Sequence, residues 1–230
     1  MFDRIKKALA RPAGESSEPR GCDGDAPISE WAATRGLVFS AGEQAGSVAL
    51  EGKVHGRRWR LERGRPTRDY IVGEELRARA QLGVHEDIAA MVINRSLSDR
   101  LEQKAYERST HSLQTTIDSN LPHEVRWLAM YRETAWQSLP EAFWNRYSVY
   151  TDRPDLASSW IDGGLAALML DWPKPGPSND VPFMMLLMQG KAYLRMEYRP
   201  ADLATLQHAA LIFTSACESA LSSALDVSLD

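Results

Sequence analysis

Cysteine is scarce in this chain of 230 residues: Cys22 and Cys217 are the two it has. Two thiols cannot staple a fold, and a reducing compartment fits such usage. Long apolar runs are also missing. The longest candidate, residues 181–188, falls far short of a bilayer span. The first residues lack the apolar core and small-residue cleavage site of a signal peptide. A cytoplasmic protein is therefore expected. Charge of one sign is not in excess either: the formal net charge of −4 is too mild to mark the whole chain for nucleic acid or a membrane.

Catalytic signatures are absent in the same way. There is no G-x-G-x-x-G and no Walker loop. Gly42 and Gly46 have the spacing of a nucleophile elbow, but no serine stands between them. The histidines are His55, His85, His111, His123 and His208, and no two sit at i, i+3 or i, i+4, the spacing that pairs ligands on a helix face. No metal and no cofactor are expected.

What is present is a dense apolar stretch from residue 143 to 198. Tyr147, Val149 and Thr151 alternate with Arg146, Ser148 and Tyr150, the period of a half-buried strand. Asp152 offers a helix cap and Pro154 suits a first turn. Ala157, Trp160, Ile161, Leu165, Leu168 and Met169 then recur at helical steps, which predicts one helix facing a sheet. Gly163 and Gly164 fall within it and are read as allowing close approach. Residues 172–180 form a proline-rich loop, 183–188 a strand buried on both faces, and Gln189-Gly190 a hairpin turn. Ala192, Leu194 and Met196 alternate in a further strand. A long helix follows Pro200, with Leu203, Leu206, Ala210, Phe213, Cys217, Leu221 and Ala224 inward.

Earlier in the chain, residues 1–9 fit a short basic amphipathic helix, a weak membrane-surface foot or simply a fraying terminus. Residues 1–27 as a whole read as a flexible segment, because 10–27 holds no aliphatic residue larger than Ala. Ile28, Trp31 and Ala32 share a helix face that Gly36 ends. Strands are expected at 37–40, 47–54 and 57–63, with His55-Gly56 as a tight turn. Residues 70–82 and 88–94 read as strands, and Ser98 opens a polar helix to about residue 108. Residues 113–120 read as a connection, 123–131 as an alternating strand, and Pro140 as the start of a short helix. The expected organisation is an N-terminal half at 28–112 and a C-terminal half at 121–230. The fold class is α+β, a largely antiparallel sheet in two related halves with helices packed on one side.

The block Phe143-Trp144-Asn145-Arg146-Tyr147-Ser148-Val149-Tyr150, the acidic turn at 152–155 and the strand at 191–197 resemble the C-terminal half of uncharacterised bacterial conserved hypothetical proteins. The resemblance implies an antiparallel sheet with covering helices. It brings no activity with it, and this chain lacks the membrane helices that many of those proteins carry.

Arginine supplies the strongest local signal. Arg57, Arg58, Arg60, Arg63, Arg65 and Arg68 crowd one strand and its loop, in a chain acidic overall. Guanidinium forks suit phosphate or carboxylate, and Trp59 and Tyr70 could add stacking. Alternation spreads the arginines over both strand faces, which favours a solvated surface paired to Glu62, Asp69, Glu74 and Glu75. The triplet His85-Glu86-Asp87 is read as turn chemistry; Asp152, Asp155, Asp162 and Asp171 flank the predicted helix, where two carboxylates could serve a hydrolase as acid and base, but Asp152 and Asp155 are read as capping groups. The aromatic crowd around Trp127, Trp136 and Trp144 is read as core. The leading expectation is a binding or adaptor protein acting through protein–protein contact. An anion or nucleic-acid binder through residues 57–68 is the alternative, and an enzyme with a site assembled from distant residues is the third reading.

Overall fold

The computed structural model describes residues 25–44, 46–84, 88–111 and 123–227. The expected foot at 1–9, the triplet His85-Glu86-Asp87 and the connection at 113–120 lie outside them. The strands are β1 (Val38–Ala41), β2 (Val48–Val54), β3 (Arg57–Gly64), β4 (Glu75–Gln81), β5 (Ala89–Asn94), β6 (Tyr147–Thr151), β7 (Phe183–Met188) and β8 (Lys191–Glu197). They form one 8-stranded sheet in the order β1-β2-β3-β4-β8-β7-β5-β6, with every neighbouring pair antiparallel. The helices are α1 (Ala26–Thr34), α2 (Arg95–His111), α3 (His123–Met130), α4 (Glu141–Arg146), α5 (Pro154–Trp160), α6 (Gly163–Leu170) and α7 (Leu203–Val227). The class is α+β, as the sequence predicts. β7 and β8 insert between β4 and β5, so strands from early and late in the chain share one hydrogen-bonded sheet.

The two hairpin turns form where the sequence places them. His55 and Gly56 have φ of 45° and 78°, and Gln189 and Gly190 have φ of 51° and 69°. That pair of left-handed residues gives the turn whose twist matches the flanking strands.

The larger core lies between one face of the sheet and α7. Leu206, Phe213 and Cys217 of α7 pack with Trp59, Leu61, Leu76 and Leu194 of the sheet. The Trp160 indole N–H donates to Ala216 O at 3.0 Å and ties α5 to α7. A smaller core lies on the opposite face, where Leu97 and Leu101 of α2 and Val125 and Trp127 of α3 cover Met91, Ile93, Tyr150 and Met184. The helices thus divide between the faces: α7 with α5 and α6 on one, α2 and α3 on the other over β5, β6 and β7.

Four local expectations are corrected. Residues 123–130 are helix, not strand. Glu124, Val125 and Trp127 are buried and Leu128 packs beside them, the spacing of a helix face, and over so short a window this period is easily confused with alternation. The stretch 154–170 is two helices, not one. Asp162 caps α6 by accepting from the Leu165 N–H at 2.7 Å, and Gly163 and Gly164 open that helix. A Cβ at Gly163 would meet open space, so close approach is not its role. Asp152 does not cap α5 either; Arg153 holds that position, its own N–H donating to Thr151 Oγ1 at 3.0 Å.

Candidate functional site

The face that carries α2 and α3 is covered over β5 and β7, but no described helix covers its continuation over β8, β4 and β3. Side chains alternate along each strand, so this open half is lined by every second residue. Register sets them in rows. One row runs Glu62, Arg77, Arg195, Met184, Ile93 across β3, β4, β8, β7 and β5. The next runs Glu51, Arg60, Arg79, Tyr193, Leu186, Met91 from β2 to β5. Arg60 therefore stands directly opposite Arg79, and Arg77 opposite Arg195.

Like charges at such positions repel by roughly 0.2–1 kcal/mol per pair. Carboxylates set among and beneath them offset this. Glu62, 7% exposed, sits 3.2 Å from Arg77 and 4.0 Å from Arg60. Glu75, fully buried, sits 2.8 Å from Arg195 and accepts from the Thr67 backbone N–H at 2.6 Å. Glu43 pairs with Arg79 at 2.5 Å, and Glu51 pairs with Arg60 on the outer rim.

A groove of about 370 Å³ follows these rows, with Arg60, Arg77, Arg79 and Arg195 on one side and Met184, Leu186 and Met188 on the other. An adjoining recess of about 460 Å³ shares Arg60, Arg79 and Tyr193 and adds Arg58 and Lys191. At the seam with α3, Glu124 accepts from Arg68 Nε at 2.5 Å and from the Tyr70 hydroxyl at 2.7 Å. Burial pushes the Glu124 carboxyl up, but the bonds from Arg68, its own backbone and Tyr70 outweigh it and hold the group below the usual range. Burial and the same carboxylate raise the Tyr70 hydroxyl.

The arginines expected to act together are divided by this geometry. Arg58 and Arg60 lie on the open half of the face, and Arg68 lines its edge through Glu124. Arg63 points to the other face, where it pairs with Asp25 at 2.5 Å and Glu74 at 3.3 Å. Arg57 is exposed beside Gly83 and Arg65 is exposed in the following loop. The groove instead brings in Arg77, Arg79 and Arg195, which the sequence reading did not single out. Their alternation was visible, but the pairing of β4 with β8, far apart in the chain, was not.

Other chemistry-bearing groups have structural partners. His208 Nε2 lies 2.7 Å from Leu168 O, and its ring packs against Trp172. Asp155 pairs with Arg153 at 3.3 Å. The Cys217 thiol is pushed up to about 12 by burial. Among the described residues no group of three His, Cys, Asp or Glu side chains is placed to hold a metal, and no helix is long and apolar enough to cross a membrane.

No family model and no curated protein sequence matches the chain. Among solved structures it is similar to the mycobacterial trehalose monomycolate transport factor A, TtfA, with 9% sequence identity and a TM-score of 0.46, over 83% of this chain and 90% of that one. The likeness spans most of the chain rather than its C-terminal half alone. At that level it carries no argument about function.

Proposed function

We propose that this chain is a binding protein that engages an acidic protein partner through the open half of its sheet face. The observation that carries the reading is the pair of rows Arg60–Arg79 and Arg77–Arg195 beside an apolar strip, on a face that α2 and α3 cover only in part. A reading as plain solvated surface accounts less well for arginine set opposite arginine. Guanidinium forks held by carboxylates are already oriented, so a partner's carboxylates meet them with less ordering cost. We propose the cytoplasm as its compartment, because two cysteines cannot form a disulfide framework.

The test uses labelled oligo-glutamate and labelled oligo-thymidylate as probes, read by fluorescence anisotropy. Oligo-glutamate is expected to bind in a salt-dependent way, and Arg58→Glu with Arg79→Glu to weaken it at least about tenfold. Arg35→Glu, on the opposite face beside α7, leaves binding unchanged. Equal binding by the double variant refutes the site. Tighter binding of oligo-thymidylate, with a steep salt slope, refutes the protein partner in favour of nucleic acid.

A further inference from the structure

Resting on that reading, we infer that the partner segment is an acidic amphipathic helix lying along β4, beside α3. Four observations converge on a helix rather than an extended or disordered acidic tail.

The first is width. Helices α2 and α3 already pack on this face over β5, β6 and β7, and the layer they form stops at Leu186 and Met188, both half-buried. From β8 across β4 to β3 is two strand spacings, roughly 10 Å, which is about the diameter of one helix with its side chains. The open half has room for one more helix.

The second is spacing along the strand. Arg77 and Arg79 are two residues apart on β4, roughly 6.8 Å, while residues i and i+4 of a helix rise about 6 Å. Carboxylates at i and i+4 therefore step from one arginine to the next. Arg195 and Arg60 flank them on β8 and β3, directly opposite Arg77 and Arg79 respectively.

The third is the apolar strip. Leu186 and Met188 run along β7 on the side nearest α3 and line the groove with Tyr193, beside the buried Met184. Methionine adapts to whatever apolar side chain faces it. A helix whose carboxylates lie over β4 would turn its neighbouring leucine or methionine stripe onto this strip.

The fourth is the sign of the charge presented. Glu62, Glu75 and Glu124 are buried. The Arg79 side chain, by contrast, is 61% exposed and those of Arg60, Arg77 and Arg195 are partly exposed, with Glu43 and Glu51 exposed beside Arg79 and Arg60. The groove is lined by Arg60, Arg68, Arg77, Arg79 and Arg195 against Glu43, Glu62 and Glu124, so a partner meets a net positive surface.

The experiment uses the full chain and two synthetic peptides of about 15 residues, roughly 22 Å long as helices, which spans β4. One carries Glu at i, i+4 with Leu along one flank; the other has the same composition scrambled to lose the stripe. Anisotropy measures affinity and circular dichroism measures helix gained on mixing. The patterned peptide is expected to bind at least about tenfold tighter than the scrambled one and to gain helicity. Met188→Gln should weaken the patterned peptide alone, and Arg79→Glu should weaken both. Equal binding of the two peptides, still sensitive to Arg79→Glu, overturns the helix and leaves the acidic-partner reading standing. Absence of binding by either peptide overturns both. Self-association of the chain through this face, lost in Arg79→Glu, overturns the foreign helix in favour of a second copy.

Discussion

Replacing Glu75 with Gln tests whether a buried carboxylate holds the groove's floor. Glu75 opens β4 and is fully buried. It accepts from the Thr67 N–H at 2.6 Å and the Thr67 hydroxyl at 3.0 Å, and it stands 2.8 Å from Arg195 Nη1. Gln keeps the shape and one carbonyl oxygen but removes the charge. Hydrogen bonds to a charged group contribute roughly 1.5–3 kcal/mol and neutral ones roughly 0.5–1.5, so each Thr67 bond loses about 1 kcal/mol. Arg195 is 21% exposed on its side chain and can turn to water, which limits its share to about another 1 kcal/mol. The expected loss is about 2–4 kcal/mol, or roughly 5–15 °C in Tm for a chain of this size. Urea unfolding followed by circular dichroism measures it. Loss of the Thr67 anchor should also expose the peptide bond after Arg68 to trypsin. Glu51→Gln is the control, since that rim pair is 42% exposed at the glutamate and should cost below about 1 kcal/mol. A Glu75→Gln variant within about 0.5 kcal/mol of the parent would refute the reasoning.

Glu124 should make stability pH-dependent. Its folded carboxyl is held below the unfolded value, so its contribution is full above about pH 4.3 and is lost as pH falls through the folded pKa; urea midpoints between about pH 3 and pH 6 should be flatter for Glu124→Gln. Gly52→Ala should destabilise by roughly 1–3 kcal/mol and shift tryptophan emission, because a Cβ there would lie 2.8 Å from both Leu37 Cδ2 and the Trp59 ring. In a Cys22→Ser background, Cys217 should stay unreactive to a thiol reagent near pH 8 until denaturant is added, since burial pushes its thiol up to about 12.

Strands and turns were legible in the sequence wherever local chemistry decides them. His55-Gly56 and Gln189-Gly190 set two hairpins, and the alternation of Trp59 and Leu61, or of Ala192, Leu194 and Met196, set which face is apolar. Helix α3 was misread because a short segment fits both periods and the decision comes from α2, against which it packs. The break between α5 and α6 was missed because Asp162 reads equally as a surface residue until its carboxylate is seen on the Leu165 N–H. The site was half legible. Alternation marked Arg58 and Arg60 as sharing a face, but their neighbours Arg77, Arg79 and Arg195 depend on the β3–β4–β8 register, which is a long-range pairing that no local period encodes.

The same register separates a surface that is merely soluble from one built to meet a partner. An exposed antiparallel face is kept soluble at least cost by setting opposite charges across from each other, as Glu62 and Arg77 are. Here Arg60 faces Arg79 and Arg77 faces Arg195, and buried Glu62 and Glu75 hold Arg77 and Arg195 while exposed Glu43 and Glu51 pair with Arg79 and Arg60. Burying a carboxylate costs several kcal/mol before its partners repay it, and replacing such a pair whole by apolar residues of like volume is often neutral or stabilising. Stability alone therefore does not account for Glu62 and Glu75 under these arginines. What the arrangement achieves is orientation: the Arg77 and Arg195 guanidinium groups are fixed by carboxylates buried in the fold and turned toward a half-face that α2 and α3 leave open. If that is its purpose, Glu75→Gln, measured where the variant is still fully folded, should weaken oligo-glutamate binding several-fold, a loss that a purely structural ion pair would not produce.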